Sequence, residues 1–521
     1  MGSDPVKDTI SKVNPGVWLL AIVLLALAVR CYHITSPLDD AHSFRQTQTA
    51  GLIRDYYRDG IDLLYPRMIT LGDPGYVVLE FPVYQAVAAV LYKVFSPDVI
   101  WARLLSICFG LLSIVFVYRI ARKFLDERPS IFAAFFYAFM PLDIFFQRVP
   151  IPDPLAIMLS LMMLDFLIEG IKGNTGRLVF GILAAALGIV IKSPIVAPLY
   201  LPLLYVAWRQ KEDRPAAMAR FFISLGIPLA ALAVWQYHAN AVNDKYFVKG
   251  AYPFTYLSSK VSIKLRPFNH WYFGTVSQRL DIGNYAAIGG YVVKQLLSVI
   301  GMPFAAAGII SLAAAKKGRF FFCWMLSIGI TIMVFFNLYV VHNYYHLFWA
   351  PVLAIVCGAG AAWLLDISPG RRWQASIVLM LLAGFLGASL YVSERVLFQR
   401  ENDLLATGKF IDEHAGKGAM IATSLPRGDA WNPTLMYYAD RRGFTLPHRG
   451  IIRELVGYLR EQKVGYIAVV DAGGKEFPAL SGSAVVAANN RVTIYDIQHG
   501  APHPAAASGG SNYGGERRGE R

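Results

Sequence analysis

The sequence predicts a mainly α, polytopic membrane protein of about eleven transmembrane helices with juxtamembrane helices, followed by a small C-terminal α/β domain. Three observations predict it. Of the 521 residues, 55% are hydrophobic and only 16% charged, too apolar for a soluble enzyme of this size. The apolar residues fall in repeated runs, several approaching the ~20 residues that cross a hydrocarbon core of ~30 Å. Basic clusters punctuate those runs, as they do where Lys and Arg set membrane orientation. The formal net charge of +14 is therefore read as topology, with membrane lipids and not nucleic acid as the expected surroundings.

The expected spans are Val17–His33, Val99–Ile120, Ile131–Phe146, Leu155–Ile171, Leu178–Ile191, Ile195–Trp208, Phe221–Tyr237, Ala286–Ala315, Phe320–Val341, Leu347–Leu365 and Ala375–Val392. The first lacks a small-residue cleavage site ahead of Arg30, so it reads as a retained helix and not a signal peptide. Cys31, Cys108, Cys323 and Cys357 sit in or beside apolar runs without a CxxC spacing, which indicates neither a disulfide framework nor a thiolate zinc site. With the N-terminus in the cytoplasm, the basic groups around Arg122, Lys172, Arg209, Lys316 and Arg371 all fall inside, provided that Pro82–Phe95 does not span. That segment carries Pro82 and Lys93 and is too short to cross. The outer face then receives Ile34–Phe81, Asp143–Pro154, the Lys192–Pro194 break, Ala239–Tyr285, His342–His346 and everything after Ser393.

Those outer loops hold the unusual polar residues. Asp39 and Asp40 leave the first helix just before an amphipathic stretch, Ala41–Tyr57, expected to lie on the membrane surface through Phe44, Ile53 and Tyr57. Capping of that helix is one role for the pair; a site carboxylate is the other. Glu80 opens the short apolar helix and is either a solvated border residue or a site acid. Asp153 stands in Gln147-Arg-Val-Pro-Ile-Pro-Asp-Pro154, where N-capping again competes. Three acids on one face, with Arg45 and Arg148 near them in sequence, favour a functional site, because ionisable groups at membrane borders are costly. Lys192 interrupts an apolar stretch beside Pro194, which breaks the backbone there; it either snorkels to headgroups or offers a charge to a phosphate. The turn His342-Asn-Tyr-Tyr-His346 is an aromatic belt or a source of donors to an anion, and Tyr246–Arg279 mixes basic and aromatic residues as a membrane-surface segment does.

Asp39-Asp40, Phe44-Arg-Gln-Thr-Gln-Thr-Ala50, Tyr65-Pro-Arg67, Glu80-Phe-Pro82 and Arg148-Val-Pro-Ile-Pro-Asp-Pro-Leu155 resemble the polyprenyl-phosphate-dependent glycosyltransferases of the GT-C fold. The branch most like it is family 39, the bacterial protein O-mannosyltransferase and aminoarabinose-transferase-like proteins. The resemblance covers roughly the first 400 residues and is most specific between Asp39 and Leu155. It implies inverting transfer of a sugar from a polyprenyl-phosphate donor to an acceptor hydroxyl of a protein, lipid or glycan. It also implies a bacterial inner (cell) membrane location with the site on the periplasmic side. On the matching positions Asp40, or less well Asp39, is the base and Asp153 the second acid. Glu80 matches the acid before the short helix, and Lys192, Arg266 or Arg279, and Tyr345 match positions that hold the donor phosphate; His42, Arg45, Arg148 and His346 are further candidates for substrate binding. Glu80-Phe81-Pro82 stands where aminoarabinose transferases carry a Glu-Lys-Pro type motif, which argues against a lipid A phosphate.

No cofactor is assigned; a divalent cation shared by Asp153 and Glu80 stays open, since no dense ligand motif is visible. The expected domains are residues 1–395 in the membrane, an outer α/β domain over 396–500, and a disordered tail over 501–521. In the α/β domain, strands are expected at Ala419–Thr423, Gly465–Val470 and Arg491–Ile497, with helices near Pro433–Ala439 and Gly450–Gln462. A transporter of lipid or sugar and a ligase or polymerase using a diphospholipid-linked oligosaccharide are the competing functions.

Overall fold

A computed structural model describes residues 14–248, 270–314, 318–367, 372–400, 402–426, 432–448, 451–473 and 475–500. The chain divides into two compact units, Met1–Met68 with Pro74–Asn402, and Ile69–Asp73 with Asp403–Arg521.

The main described helices of the first unit are α1 (Pro15–Cys31), α2 (Ser43–Asp59), α3 (Val83–Val94), α4 (Val99–Arg122), α5 (Glu127–Phe139), α6 (Pro141–Phe146), α7 (Asp153–Ile171), α8 (Thr175–Val196), α9 (Tyr200–Trp208), α10 (Arg214–Asn243), α11 (Ile282–Tyr291), α12 (Met302–Ala314), α13 (Arg319–Val334), α14 (Ala350–Asp366) and α15 (Arg372–Val392). Among the described residues, five helices are long and apolar enough to cross a membrane: Val99–Arg122, Asp153–Ile171, Thr175–Trp208, Arg214–Tyr246 and Trp373–Leu397. Five more apolar helices are 10–17 residues long. Among the described residues the apolar helices are thus of very unequal length, and the expected count of eleven spans is not confirmed by them. The expected span Ala286–Ala315 is broken, for the chain turns between α11 and α12 with Ser298 and Val299 at positive φ.

Thr175–Trp208 is continuous in sequence but reverses in space. Lys192 has non-helical angles, φ −155° and ψ 85°. A Cβ added at Gly188 would lie 3.1 Å from Val196 Cγ2, whereas eight residues of straight helix would separate the two by about 12 Å. The two arms that the sequence divides at Lys192–Pro194 are therefore antiparallel, and Lys192 sits at their tip.

α3 is 12 residues long, about 18 Å, and packs against α2 and α4. α2 does not lie on a surface as its amphipathic pattern suggested, because Ile53 is fully buried in the core with Tyr56 and Tyr84. Glycines let α14 approach two neighbours: a Cβ at Gly358 would be 2.5 Å from Pro129 O on α5, and one at Gly360 2.0 Å from Phe304 O on α12. Small residues at such crossings are how helices gain dispersion contacts where lipid removes the hydrophobic drive.

One end of this bundle is bound by basic residues. Arg119 of α4 and Lys123 just after it pair with Asp165 of α7 at 2.7 and 3.2 Å, Arg128 pairs with Asp366 at 2.9 Å, and Arg220 with Asp213 at 2.9 Å. α7 runs from Asp153 to Ile171, so Asp153 and Lys192 mark the opposite end.

In the second unit, α16 (Asn402–His414), β1 (Met420–Leu425), α17 (Thr434–Tyr438), β2 (Gly443–Pro447), α18 (Arg453–Glu461), β3 (Val464–Val470), β4 (Ser483–Ala488) and β5 (Val492–Gly500) form an α/β body. The sheet order is β2-β1-β3-β5-β4, parallel across β1, β2 and β3 and antiparallel at β5 and β4. The three expected strands are present; β2 and β4, five and six residues long, are additional. Ile69–Asp73, from the first long loop, belongs to this unit, with Leu71 bridged to Phe444 and Ile69 in its core. The tail expected to be disordered lies outside the described residues.

Candidate functional site

The site is built on the loop between α1 and α2. Arg103, buried in α4, donates to the carbonyls of Ile34, Ser36 and Pro37, with 2.7 Å to Ile34 O and 3.3 Å to Pro37 O. One guanidinium thus fixes the backbone just ahead of Asp39-Asp40.

Neither aspartate caps α2, whose N-cap is His42 without a side-chain cap. Asp40 Oδ1 accepts from Gln46 Nε2 at 2.6 Å, and Oδ2 pairs with Arg148 Nη2 at 3.0 Å. Asp39, fully buried, accepts from Arg400 Nε at 2.9 Å. Burial pushes the Asp40 carboxyl above its ordinary range, with Arg148, Gln46 and Arg103 opposing the rise. Burial also lowers Arg148, to about 10, against the pull of Asp40. The Arg148 guanidinium lies 4.4 Å above the Phe398 ring. Its neighbour Gln147 is held in turn, accepting from Arg30 at 3.0 Å and donating to Asp143 at 2.6 Å and to the Tyr137 hydroxyl at 2.8 Å. This buried network anchors the loop that delivers Arg148.

A second group gathers at the tip of the α8 arm. Lys192 forms an ion pair with Asp153, which is fully buried and so is not a solvated cap. The ammonium stands 4.8 Å from the Tyr344 ring centroid and 4.9 Å from that of Tyr345, a cation over two aromatic faces. Arg45 of α2 pairs with Glu80 and donates to Gln48 at 3.0 Å. Burial works against the Arg45 charge, but Glu80, Tyr344 and Asp153 outweigh it and hold the group above its ordinary value. His42 bonds Asn343 Oδ1 through Nε2 at 2.7 Å, and burial lowers its pKa, with Asn343 and Asp153 opposing.

The two groups share one short segment. Within residues 40–46, Asp40 and Gln46 meet the Arg148 side, while His42 and Arg45 feel the charge of Asp153. Asp40, Asp153, Lys192, Arg45, Glu80, Arg148, His42 and Tyr345 are thereby brought to one end of the bundle, away from the basic ion pairs. A small cleft of about 40 Å³ opens there, walled in part by Arg45, Glu80, Gln48, Arg67 and Gln85.

Other expected members lie elsewhere. Arg279 is occupied by backbone carbonyls, donating to Thr275 O at 3.2 Å and Met333 O at 3.0 Å, also to Phe273 O. It ties down the end of α13 instead of joining Lys192. His346 bonds Tyr339 O at 3.0 Å inside the fold, and burial lowers its pKa to about 4. Arg266 lies outside the described residues. No group of three or more His, Cys, Asp or Glu is placed to hold a metal ion among the described residues; Asp153 and Glu80 each face a cation instead. Sequence reasoning passed over Arg103, Arg400, Gln46 and Asn343, while Tyr344 was weighed only as a hydroxyl donor or part of an aromatic belt, not as a face for Lys192. Only Arg103 carried a signal, a charge standing inside the apolar run Val99–Ile120.

Helices of unequal length around an acid-bearing first loop, with an α/β body after them, define the GT-C fold of membrane glycosyltransferases. Solved structures bear this out. ArnT from Cupriavidus metallidurans bound to undecaprenyl phosphate matches with a TM-score of 0.60 at 14% identity, over 92% of this chain and 98% of that one. The oligosaccharyltransferase AglB from Archaeoglobus fulgidus, in complex with an inhibitory peptide and a dolichol-phosphate, matches at 0.55 and 11% identity, over 87% of this chain and 69% of that one. The arabinofuranosyltransferase AftD from Mycobacteria matches at 0.51 and 15% identity, over 93% of this chain but only 40% of that one. At these identities the likeness is one of fold. Residues 80–238 match the family model described as dolichyl-phosphate-mannose-protein mannosyltransferase. No curated protein sequence matches the chain.

Proposed function

We propose that the protein transfers a sugar from a polyprenyl-phosphate donor to an acceptor hydroxyl, with inversion, at the extracytoplasmic face of a bacterial inner membrane. The observation that carries this reading is the placement of a base and a phosphate-receiving cation on either side of one short segment, residues 40–46: Asp40 with Arg148 and Gln46, and Lys192 with Asp153 and the Tyr344 and Tyr345 rings. The match of residues 80–238 to a mannosyltransferase model and the lipid phosphates bound by ArnT and AglB support it. The clustering of Arg119, Lys123, Arg128 and Arg220 at the other end of the helices supports the orientation, since cationic ends face the cytoplasm.

The chemistry follows from the groups. A polyprenyl phosphate is already a competent leaving group, so the protein supplies alignment, a base and charge stabilisation. Asp40 takes the proton of the acceptor hydroxyl as its oxygen attacks the anomeric carbon. The bond from that carbon to the phosphate oxygen breaks on the opposite face, which inverts the centre. Lys192 turns from Asp153 to the phosphate as charge develops there. Burial raises Asp40 and so makes it the stronger base, while Arg148 opposes that rise.

The test is transfer by the full chain in proteoliposomes with a panel of polyprenyl-phosphate sugars. Asp40→Asn should lower turnover by about 10²–10⁴-fold, the usual worth of a positioned base, with polyprenyl-phosphate affinity retained. Wild-type turnover in that variant rejects Asp40 as the base, and a product of retained anomeric configuration rejects single displacement.

A further inference from the structure

A second cleft, of about 230 Å³, lies beside the first and shares Leu52 and Arg67 with it as a common wall. Its lining differs in kind from the Lys192 region. Three tyrosines contribute. Tyr65 and Tyr76 have ring centroids 5.5 Å apart at 65°; Tyr76 also meets Tyr246 at 5.0 Å and lies under the Arg67 guanidinium at 5.3 Å, Arg67 pairs with Asp59 at 3.3 Å, and Tyr65 meets His238 at 5.7 Å. The Tyr56 hydroxyl is bonded to Asp62 O at 2.6 Å, which fixes the third ring. Asp62 Oδ1 in turn accepts from the backbone N–H of Leu64 and Tyr65, at 3.0 and 3.1 Å, so the loop carrying Tyr65 is preformed. Tyr65 is 38% exposed at the mouth. Asp55, Asp59 and Asp62 also line the space, against one cation, Arg67.

We propose that this second cleft holds a neutral saccharide part of the acceptor, away from the reacting hydroxyl, since the cleft borders the C-terminal half of α2 whereas Asp40 stands at its start. Aromatic faces stack on the C–H rows of a pyranose or furanose ring, and carboxylates accept bonds from its hydroxyl groups. The formal charge of the lining is negative, which disfavours a phosphate-bearing lipid here. The donor phosphate is drawn to Lys192, so the two substrates are sorted by charge before they meet. The shared wall at Arg67 and Leu52 joins the saccharide to the first cleft, where Arg45 and Glu80 stand. This assignment rests on the glycosyl-transfer reading for its word acceptor, but the cleft's preference for a neutral saccharide is measurable without turnover.

The experiment is saturation-transfer NMR of the full chain in nanodiscs with neutral disaccharides of mannose, glucose, galactose and arabinose, a disaccharide phosphate and a Ser/Thr-rich peptide. At least one neutral disaccharide should bind at millimolar concentration. Tyr65→Ala should weaken it at least tenfold, Asp59→Asn should weaken it less, and undecaprenyl-phosphate affinity should be unchanged in both. No binding of any neutral disaccharide overturns the proposal. Equal binding by Tyr65→Ala overturns it too, as does binding of the peptide or the disaccharide phosphate in preference. Saccharide binding that survives while Lys192→Met leaves undecaprenyl-phosphate affinity intact would instead count against the glycosyl-transfer site and leave the cleft standing.

Discussion

The Asp153–Lys192 pair separates a structural role from a chemical one. Asp153 is fully buried and Lys192 is 9% exposed, so neither charge has water to fall back on. Removing one partner of a buried pair costs about 3–5 kcal/mol, because the other charge is left uncompensated, whereas replacing both by neutral groups of similar volume is often neutral or stabilising. Lys192→Met keeps an apolar chain against the Tyr344 and Tyr345 rings, and Asp153→Asn keeps the shape of the carboxylate. Each single variant should therefore lose about 3–5 kcal/mol, and the double variant should regain most of it. The donor side behaves differently. A hydrogen bond from a charged group contributes about 1.5–3 kcal/mol, which is about 10- to 150-fold in affinity. The double variant should then fold like the wild type yet bind undecaprenyl phosphate about 10- to 150-fold more weakly. Unfolding followed by Trp fluorescence gives the first quantity, and titration with undecaprenyl phosphate in nanodiscs the second. Wild-type affinity in the double variant would refute the assignment of Lys192 to the phosphate, and a wild-type stability of Lys192→Met would refute the buried pair.

Two further outcomes are expected from the pH behaviour of the loops. Asp40 must be ionised to act as a base, burial raises its pKa and Arg148 lowers it, so Arg148→Gln should move the acid limb of kcat/KM to higher pH; an unmoved limb in the pH–rate profile would separate Asp40 from that limb. His346, held neutral with a pKa lowered to about 4 from an unfolded value of about 6.5, contributes stability that is present above about pH 6.5 and lost as pH falls toward 4. The loss amounts to about 3 kcal/mol, and His346→Gln should flatten the stability curve between pH 7 and 4, a change absent if the imidazole is not buried neutral.

The parts of this site that could be read in the sequence are those where a residue breaks its local pattern. Lys192 interrupts an apolar run next to Pro194, and the chain indeed reverses there; Asp39-Asp40, Glu80 and Asp153 are acids beside apolar helices, and all prove to be ion-paired. Local pattern failed where the partner is set by packing. Arg400 reaches Asp39 across 361 positions and Arg148 reaches Asp40 across 108, and no periodicity carries such distances. Amphipathicity misled for α2 because a helix pinned at its start by Gln46 and Arg45 is drawn inward, so that Ile53 faces protein where its pattern suggested lipid. Arg279 failed for the opposite reason: a guanidinium near a helix end finds unsatisfied carbonyls first, and Arg279 spends its donors on Thr275, Phe273 and Met333. A cation in an outer loop therefore argues for a phosphate site only when its charge is not spent on the end carbonyls of a helix; Lys192 stands at a reversal but faces a carboxylate and two aromatic rings instead.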